Sequence, residues 1–236
     1  MPREQGEQFR AFIAAHIPVD RGAEGGYPVL STYFDTPDRH SYWQKVWGAG
    51  NRRRVRSRVY GRPEGSIPPA AFIEIKHKQD ENGVKRRSAV SITGLEELAN
   101  GLIPRDLLTS DRSRADRQLV EELRDLVLDE GARPVVQVRY DRMAYDQGIE
   151  GTIRVTFDTG LFCRFKIEPL LPDDKNFPLP VVVEDVAVVE VKTIGPVPLW
   201  LREVAGKYKL SAQSMSKYSM ALEGYDPAVA RHPHAY

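Results

Sequence analysis

The chain has 236 residues, with 34 Lys and Arg against 33 Asp and Glu, for a formal net charge of +1 at pH 7. A chain this long buries roughly 70–75% of its unfolded surface, so it needs no disulfide or structural metal to fold. A hydrophobic content of 41% excludes disorder, the neutral balance argues against a bulk electrostatic nucleic-acid binder, and a single cysteine, Cys163, excludes an internal disulfide and a multi-cysteine zinc site.

The pattern predicts an amphipathic helix over 4–17, with Phe9, Phe12, Ile13 and Ile17 on one face. A strand follows over 27–34, ended by Asp35, Thr36 and Pro37, then a short helix over 38–47. Strands are predicted over 52–60, 70–78 and 84–93, the last two joined as a hairpin through Asn82-Gly83. Helices over 94–102 and 113–129 come next, the second with Leu119, Val120, Leu123, Leu126 and Val127 at helical spacing. Strands are expected over 134–145, 151–158 and 185–193, with a further one over 161–167. Helices over 198–207 and 213–222 close the chain. The order indicates an α+β domain over 1–225 with a largely antiparallel sheet, and a flexible C-terminal tail over 226–236. No stretch approaches the ~20 apolar residues of a membrane span, and the N-terminus lacks a signal-peptide core, so a cytoplasmic location is expected.

Charge is segregated along this order. Arg52, Arg53, Arg54, Arg56 and Arg58 fall together with no acid among them, and Lys76, Lys78, Lys85, Arg86 and Arg87 follow. Side chains alternate across a strand. Arg52, Arg54, Arg56 and Arg58 therefore share one face, against Val55 and Val59. Phe72, Glu74, Lys76 and Lys78 share another, against Ala71, Ile73 and Ile75. Lys85 pairs in parity with Arg87, Arg154 with Asp158, and Glu190 with Lys192. A solvated sheet intersperses signs, because like charges on neighbouring strands destabilise it. These faces are mostly basic, which fits an ordered polyanion gripped by guanidinium forks and lysine point charges. The acids on that face, Glu74 and Glu190, are candidates to hold a hard divalent cation that bridges to phosphate oxygens, with Asp158 as a third acid of the same parity. No Walker A loop, Rossmann glycine fingerprint or Ser-His-Asp arrangement stands out. His16, His40, His77, His232 and His234 are scattered, and Cys163 reads as a small structural side chain. A nucleic-acid surface would interleave aromatic platforms with the basic run, and Arg52 to Arg58 has none.

Eight short segments occur in order: Ser31 to Pro37, Arg54 to Tyr60, Ile73 to Lys76, Lys85 to Arg87, Tyr140 to Tyr145, Arg154 to Asp158, Val189 to Lys192 and Ser216 to Tyr218. Together they resemble the VTC domain of polyphosphate polymerases, within the triphosphate tunnel metalloenzyme superfamily that also holds the CYTH phosphohydrolases. The resemblance covers about residues 27–222. It implies a closed antiparallel β-barrel, the triphosphate tunnel, with flanking helices. It also implies transfer of the γ-phosphoryl group of ATP to a growing polyphosphate chain, with Mn²⁺ or Mg²⁺. On this resemblance Arg56, Arg58, Lys76, Arg142 and Arg154 would hold the reacting phosphates. Arg54, Lys85, Arg87, Lys192, Ser216 and Lys217 would bind the chain, and Glu190 with Glu74 would hold the metal. The family opens with a strand carrying a Glu-x-Lys-like segment. This chain starts in what resembles the helix after it, so a barrel lacking its usual first strand is expected. Two alternatives stand beside the polymerase: a non-catalytic polyphosphate or nucleotide sensor, and a CYTH-type triphosphatase. ATP and polyphosphate are the expected ligands, no nucleic acid is expected, and a membrane-protein partner follows by family analogy.

Overall fold

The computed structural model describes residues 1–20, 24–61, 70–80, 82–109, 113–148, 153–171, 174–183, 185–211 and 213–230. Among these described residues, seven α-helices and eight strands run in the order α1 (Arg3–Ala14), β1 (Tyr27–Asp35), α2 (His40–Val46), β2 (Asn51–Tyr60), β3 (Ala70–Gln79), β4 (Asn82–Val90), α3 (Ile92–Ala99), α4 (Arg114–Leu123), β5 (Arg133–Asp146), β6 (Ile153–Arg164), β7 (Leu179–Pro180), β8 (Val188–Thr193), α5 (Leu199–Lys207), α6 (Lys217–Tyr225) and α7 (Pro227–Ala230). None of the described helices is long and apolar enough to cross a membrane.

The helix starts are set by hydroxyl caps. Ser91 accepts from the Gly94 amide, so α3 begins two residues earlier than the expected 94 and cuts short the returning arm of the hairpin. Ser216 caps α6 by accepting from the Ser219 amide, so this helix starts at Lys217 rather than 213. The helix expected over 113–129 is α4 followed by a wider π-helical turn over Arg124–Asp129. The tail expected from 226 begins as ordered structure. Asp226 is buried and accepts from Arg39 at 2.7 Å, and α7 follows it; residues 231–236 lie outside the described residues.

All strand pairs are antiparallel, in the order β4-β3-β2-β1-β5-β6-β7, with β8 also on β6. The strands expected over 151–158 and 161–167 are one strand, β6, with a bulge inside it. Asp141 faces Thr159 and Arg139 faces Phe162, so Gly160 and Leu161 together oppose Tyr140. Gly160 takes φ +59°, the left-handed conformation such a bulge demands. The extra residue flips the parity of everything after it. Asp158 and Thr156 point to one face before the bulge, and Leu161 and Cys163 point to the same face after it.

Two clusters cover one side of the sheet. Ile73, Ile75, Val55, Val59 and Leu30 pack against α3 and α4 through Leu95, Leu98, Leu119 and Leu123. Phe157, Val155 and Ile153 pack against α1 and α5 through Phe9, Ile13, Leu201 and Val204. The other side is divided. Its apolar end, with Val138, Leu161 and Cys163, is filled by Tyr218, Ala221 and Leu222 of α6. Asp35 anchors that plug: it accepts from the amides of Thr36, Ser41 and Tyr42 and from the Tyr218 hydroxyl. Burial pushes the Cys163 thiol up to about 12, which suits a packed structural side chain.

Among the described residues the sheet curls strongly but does not close, as expected of a barrel short of one strand. In a flat sheet β3 and β8 would lie about 24 Å apart, five strand spacings. Yet the Lys76 ammonium on β3 feels Glu190 and Lys192 on β8. Closure needs two neighbours for every strand. Among the described residues β4 pairs only with β3 and β8 only with β6.

Candidate functional site

The remaining, polar end of the inner face collects the residues singled out above. Arg54, Arg56, Arg58, Lys76, Lys85, Arg87, Arg142, Arg154, Lys192 and Lys217 meet there with three carboxylates, Glu74, Asp158 and Glu190.

The register explains the first carboxylate. Arg56 lies opposite Glu74, and Glu74 opposite Arg87. Arg56 donates to Glu74 Oε2 from Nε at 2.7 Å and Nη2 at 2.6 Å, Lys85 Nζ reaches Oε1 at 2.7 Å, and Arg87 Nε lies 3.6 Å from it. The Glu74 side chain is only 2% exposed. Burial alone would raise its pKa, but Arg56, Arg58 and Lys85 outweigh that and hold it at about 2, against an ordinary 4.5. Both oxygens are thus committed to cations, and the structure places Glu74 in an ion-pair cluster rather than as an open metal ligand. A group with a depressed folded pKa stabilises the fold above its unfolded pKa and loses that contribution as pH falls through the folded one. Stability at neutral pH should therefore contain about 3 kcal/mol from Glu74 that disappears between pH 4.5 and about 2. Urea unfolding of the parent and of Glu74→Gln across this range checks it. A stability difference between the two that stays flat from pH 5 to pH 2 would contradict the assignment.

Asp158 organises the second group. It is fully buried; Arg142 donates to Oδ1 at 2.7 Å and to Oδ2 at 2.8 Å, and Lys217 Nζ reaches Oδ2 at 2.7 Å. Burial opposes ionisation of Asp158, but Arg142 and Lys217 hold its carboxyl below the usual range. The Arg142 and Lys217 cations also sit over the Tyr140 ring, at 5.2 and 4.7 Å from its centroid.

Other cations are positioned by neutral groups. Arg58, 5% exposed, donates to Ser31 Oγ at 3.1 Å and to the Tyr60 hydroxyl at 3.2 Å. Arg54 donates to Ser216 Oγ at 3.0 Å. Burial lowers the pKa of Arg54 and of Lys76. Arg52 adds to this for Arg54, and Arg54 and Arg56 add to it for Lys76. Positive charge therefore exceeds negative in the middle of the face. The buried Tyr33 hydroxyl registers the same field. Burial would raise its pKa, yet Arg56, Arg58 and Lys217 bring it below the ordinary value.

Two predicted residues lie at the rim. Arg154 contacts Asp20 at 2.8 Å and Asp146 at 3.6 Å, and Lys192, largely exposed, lies 3.4 Å from Glu190. Glu190 is half exposed, and Lys192 with Arg142 and Lys217 keeps it ionised against burial. No three metal-ligating side chains cluster among the described residues. An accessible carboxylate could hold a cation that takes its other ligands from phosphate and water. Glu190 meets that requirement and Glu74 does not. The residues missed in the sequence are the neutral ones, Ser31, Tyr33, Tyr60 and Tyr140. Their only signal was inward parity beside the arginines.

The VTC domain model matches residues 1–224. The chain is 24% identical over 241 residues to vacuolar transporter chaperone complex subunit 4 of Trypanosoma brucei brucei, covering 89% of this chain and 30% of that protein. It is 25% identical over 262 residues to subunit 4 of Trypanosoma cruzi, covering 97% and 32%. The chain thus spans about a third of the length of these curated relatives. A solved Bacillus halodurans chain, named provisionally as an adenylate cyclase, superposes with a TM-score of 0.50 at 8% identity, over 92% of this chain and 89% of that one. That likeness supports the fold.

Proposed function

The chain belongs to the VTC domain family, and on that premise we propose that its basic cavity binds a polyphosphate chain and transfers the γ-phosphoryl group of ATP to the chain end. The observation that carries this reading is the charge excess on one face, ten cations against the three carboxylates Glu74, Asp158 and Glu190, with Asp20 and Asp146 added only at the Arg154 rim.

Phosphoryl transfer needs positioning and charge neutralisation more than covalent chemistry. Arg58, Arg56 and Arg54, spaced along one strand, present guanidinium forks to successive phosphate oxygens. Arg142 and Lys217 are preset by Asp158, and Lys85 and Arg87 by Glu74, so these cations are ordered before the ligand arrives. The entropy of fixing their long side chains is then lost in folding rather than in binding. A divalent cation held by Glu190 would neutralise charge on the transferring group. The attacking oxygen of the chain end is already anionic, so the reaction requires no general base, and no histidine is needed on this face. The relatives' place in a named complex supports a further reading, that this domain works beside other chains, a membrane protein among them.

Incubation with ATP and Mn²⁺, followed by gel analysis, tests the proposal. The expected products are polyphosphate and ADP. Orthophosphate alone would replace the polymerase by a triphosphatase. No turnover with retained binding of tripolyphosphate would leave a sensor module. Among the described residues β4 and β8 each have an unpaired edge, which favours the sensor reading over transfer, since an incompletely walled cavity excludes water poorly.

A further inference from the structure

The hydroxyls that face the arginines have partners within the protein. Ser31 Oγ and the Tyr60 hydroxyl accept from Arg58, and Ser216 Oγ accepts from Arg54. Thr156 differs. It is 5% exposed, and its Oγ1 is the one buried hydroxyl among the described residues that finds no hydrogen-bond partner. Burying such a group without a partner costs stability, so its place in the fold needs a reason. Thr156 lies on β6 at the inward position next to Asp158, and the register sets it directly opposite Glu190 on β8. On its other side stands Ala144 of β5, fully buried and without a polar side-chain atom. The neighbouring cations are engaged elsewhere. Arg142 and Lys217 are held by Asp158, and Arg154 turns to Asp20 and Asp146. Lys192, mostly exposed, lies 3.4 Å from Glu190. Side chains directly opposite on antiparallel strands have Cβ atoms about 5 Å apart. The Thr156 hydroxyl and the Glu190 carboxylate can therefore serve one ligand between them.

We propose that Thr156 is a positioning residue for a divalent cation at Glu190, its hydroxyl holding a water of the cation's shell. Glu190 supplies a single carboxylate, and a hard cation bound this way keeps several waters. Those waters fix the ion in one place only where the protein offers them partners, and outer partners of this kind change metal affinity by about 10–100-fold. The inference rests on the reading that Glu190 holds a cation, and it adds the neutral group that fixes where the cation sits. Lys192 is the charge that the cation would displace from Glu190.

The test is calorimetric titration of metal-free and of Mn²⁺-loaded tripolyphosphate into the parent and into Thr156→Val, which keeps the shape and removes the hydroxyl. The parent should bind the Mn²⁺ complex more tightly than the metal-free ligand. In Thr156→Val, affinity for the Mn²⁺ complex should fall about tenfold, while affinity for the metal-free ligand stays within about twofold of the parent. Thr156→Ser should restore the preference. Without ligand, the valine variant should melt at or above the parent's temperature, because it no longer buries an unpartnered hydroxyl. A purely structural role predicts the opposite. A valine variant that keeps the parental Mn²⁺ preference, loses affinity for both ligands alike, or melts lower than the parent would overturn the role of Thr156 and leave the cavity intact. A parent with no Mn²⁺ preference would instead overturn the cation reading of Glu190, and the role of Thr156 with it.

Discussion

Arg56→Glu is expected to abolish the rise in melting temperature that tripolyphosphate gives the parent protein. Ligand at a hundredfold excess over its dissociation constant stabilises a native state by about 2.7 kcal/mol. For a domain of this size that corresponds to a shift of about 5–10 °C. Arg56 is central to the effect, because it lies between Arg54 and Arg58 on the strand that lines the cavity. Reversing its charge removes one fork and puts a carboxylate where phosphate oxygens would sit. It also places two acids together, since Arg56 Nη2 now lies 2.6 Å from Glu74. The unliganded variant will melt lower for that reason alone. The informative quantity is therefore the difference between each protein with and without ligand. Arg56→Lys keeps the charge but not the bidentate geometry, and should retain part of the shift. A full parental shift in the glutamate variant would sink the assignment of this face as the phosphate site.

The second large effect concerns Asp158. Replacing it with alanine leaves Arg142 and Lys217 close together without the carboxylate that bridges them, with only Glu190 acting on them from a distance. Removing one partner of a buried ionic cluster costs about 3–5 kcal/mol, here a fall of about 6–20 °C. Phosphate oxygens can supply the missing negative charge, so tripolyphosphate should raise the melting temperature of Asp158→Ala by more than it raises the parent's. A variant that melts within 3 °C of the parent would show that the cluster is not under electrostatic load. A ligand shift smaller than the parent's would show that Asp158 arranges Arg142 and Lys217 for binding, and that bound phosphate cannot replace it.

The two effects separate residues that contact phosphate from residues that hold those contacts in place. Strand parity is a local property that spacing carries: it puts Arg54, Arg56 and Arg58 on one face of β2 and Glu74 and Lys76 on one face of β3, and the register sets these faces side by side. Partnership is not local. Nothing in the spacing says that Glu74 faces Arg56 on one side and Arg87 on the other. Strand register decides that, and it surrounds Glu74 with cations from β2 and β4. The Asp158 hub is still less legible, because Lys217 reaches it from a helix near the other end of the domain. The bulge at Gly160 made one strand look like two, since alternation breaks at the residue that flips parity.

From the sequence alone came an α+β chain with a neutral total charge that conceals a basic inner face, and the eight segments that place it in its family. These depend on periodicity and residue type, which a linear chain carries in full. Only the tertiary structure decided which cations are neutralised and which are left over, that α6 fills one end of the inner face, and that the sheet curls without closing. Each of these depends on distances between residues far apart in the chain, and electrostatic energy follows those distances rather than separation along the sequence.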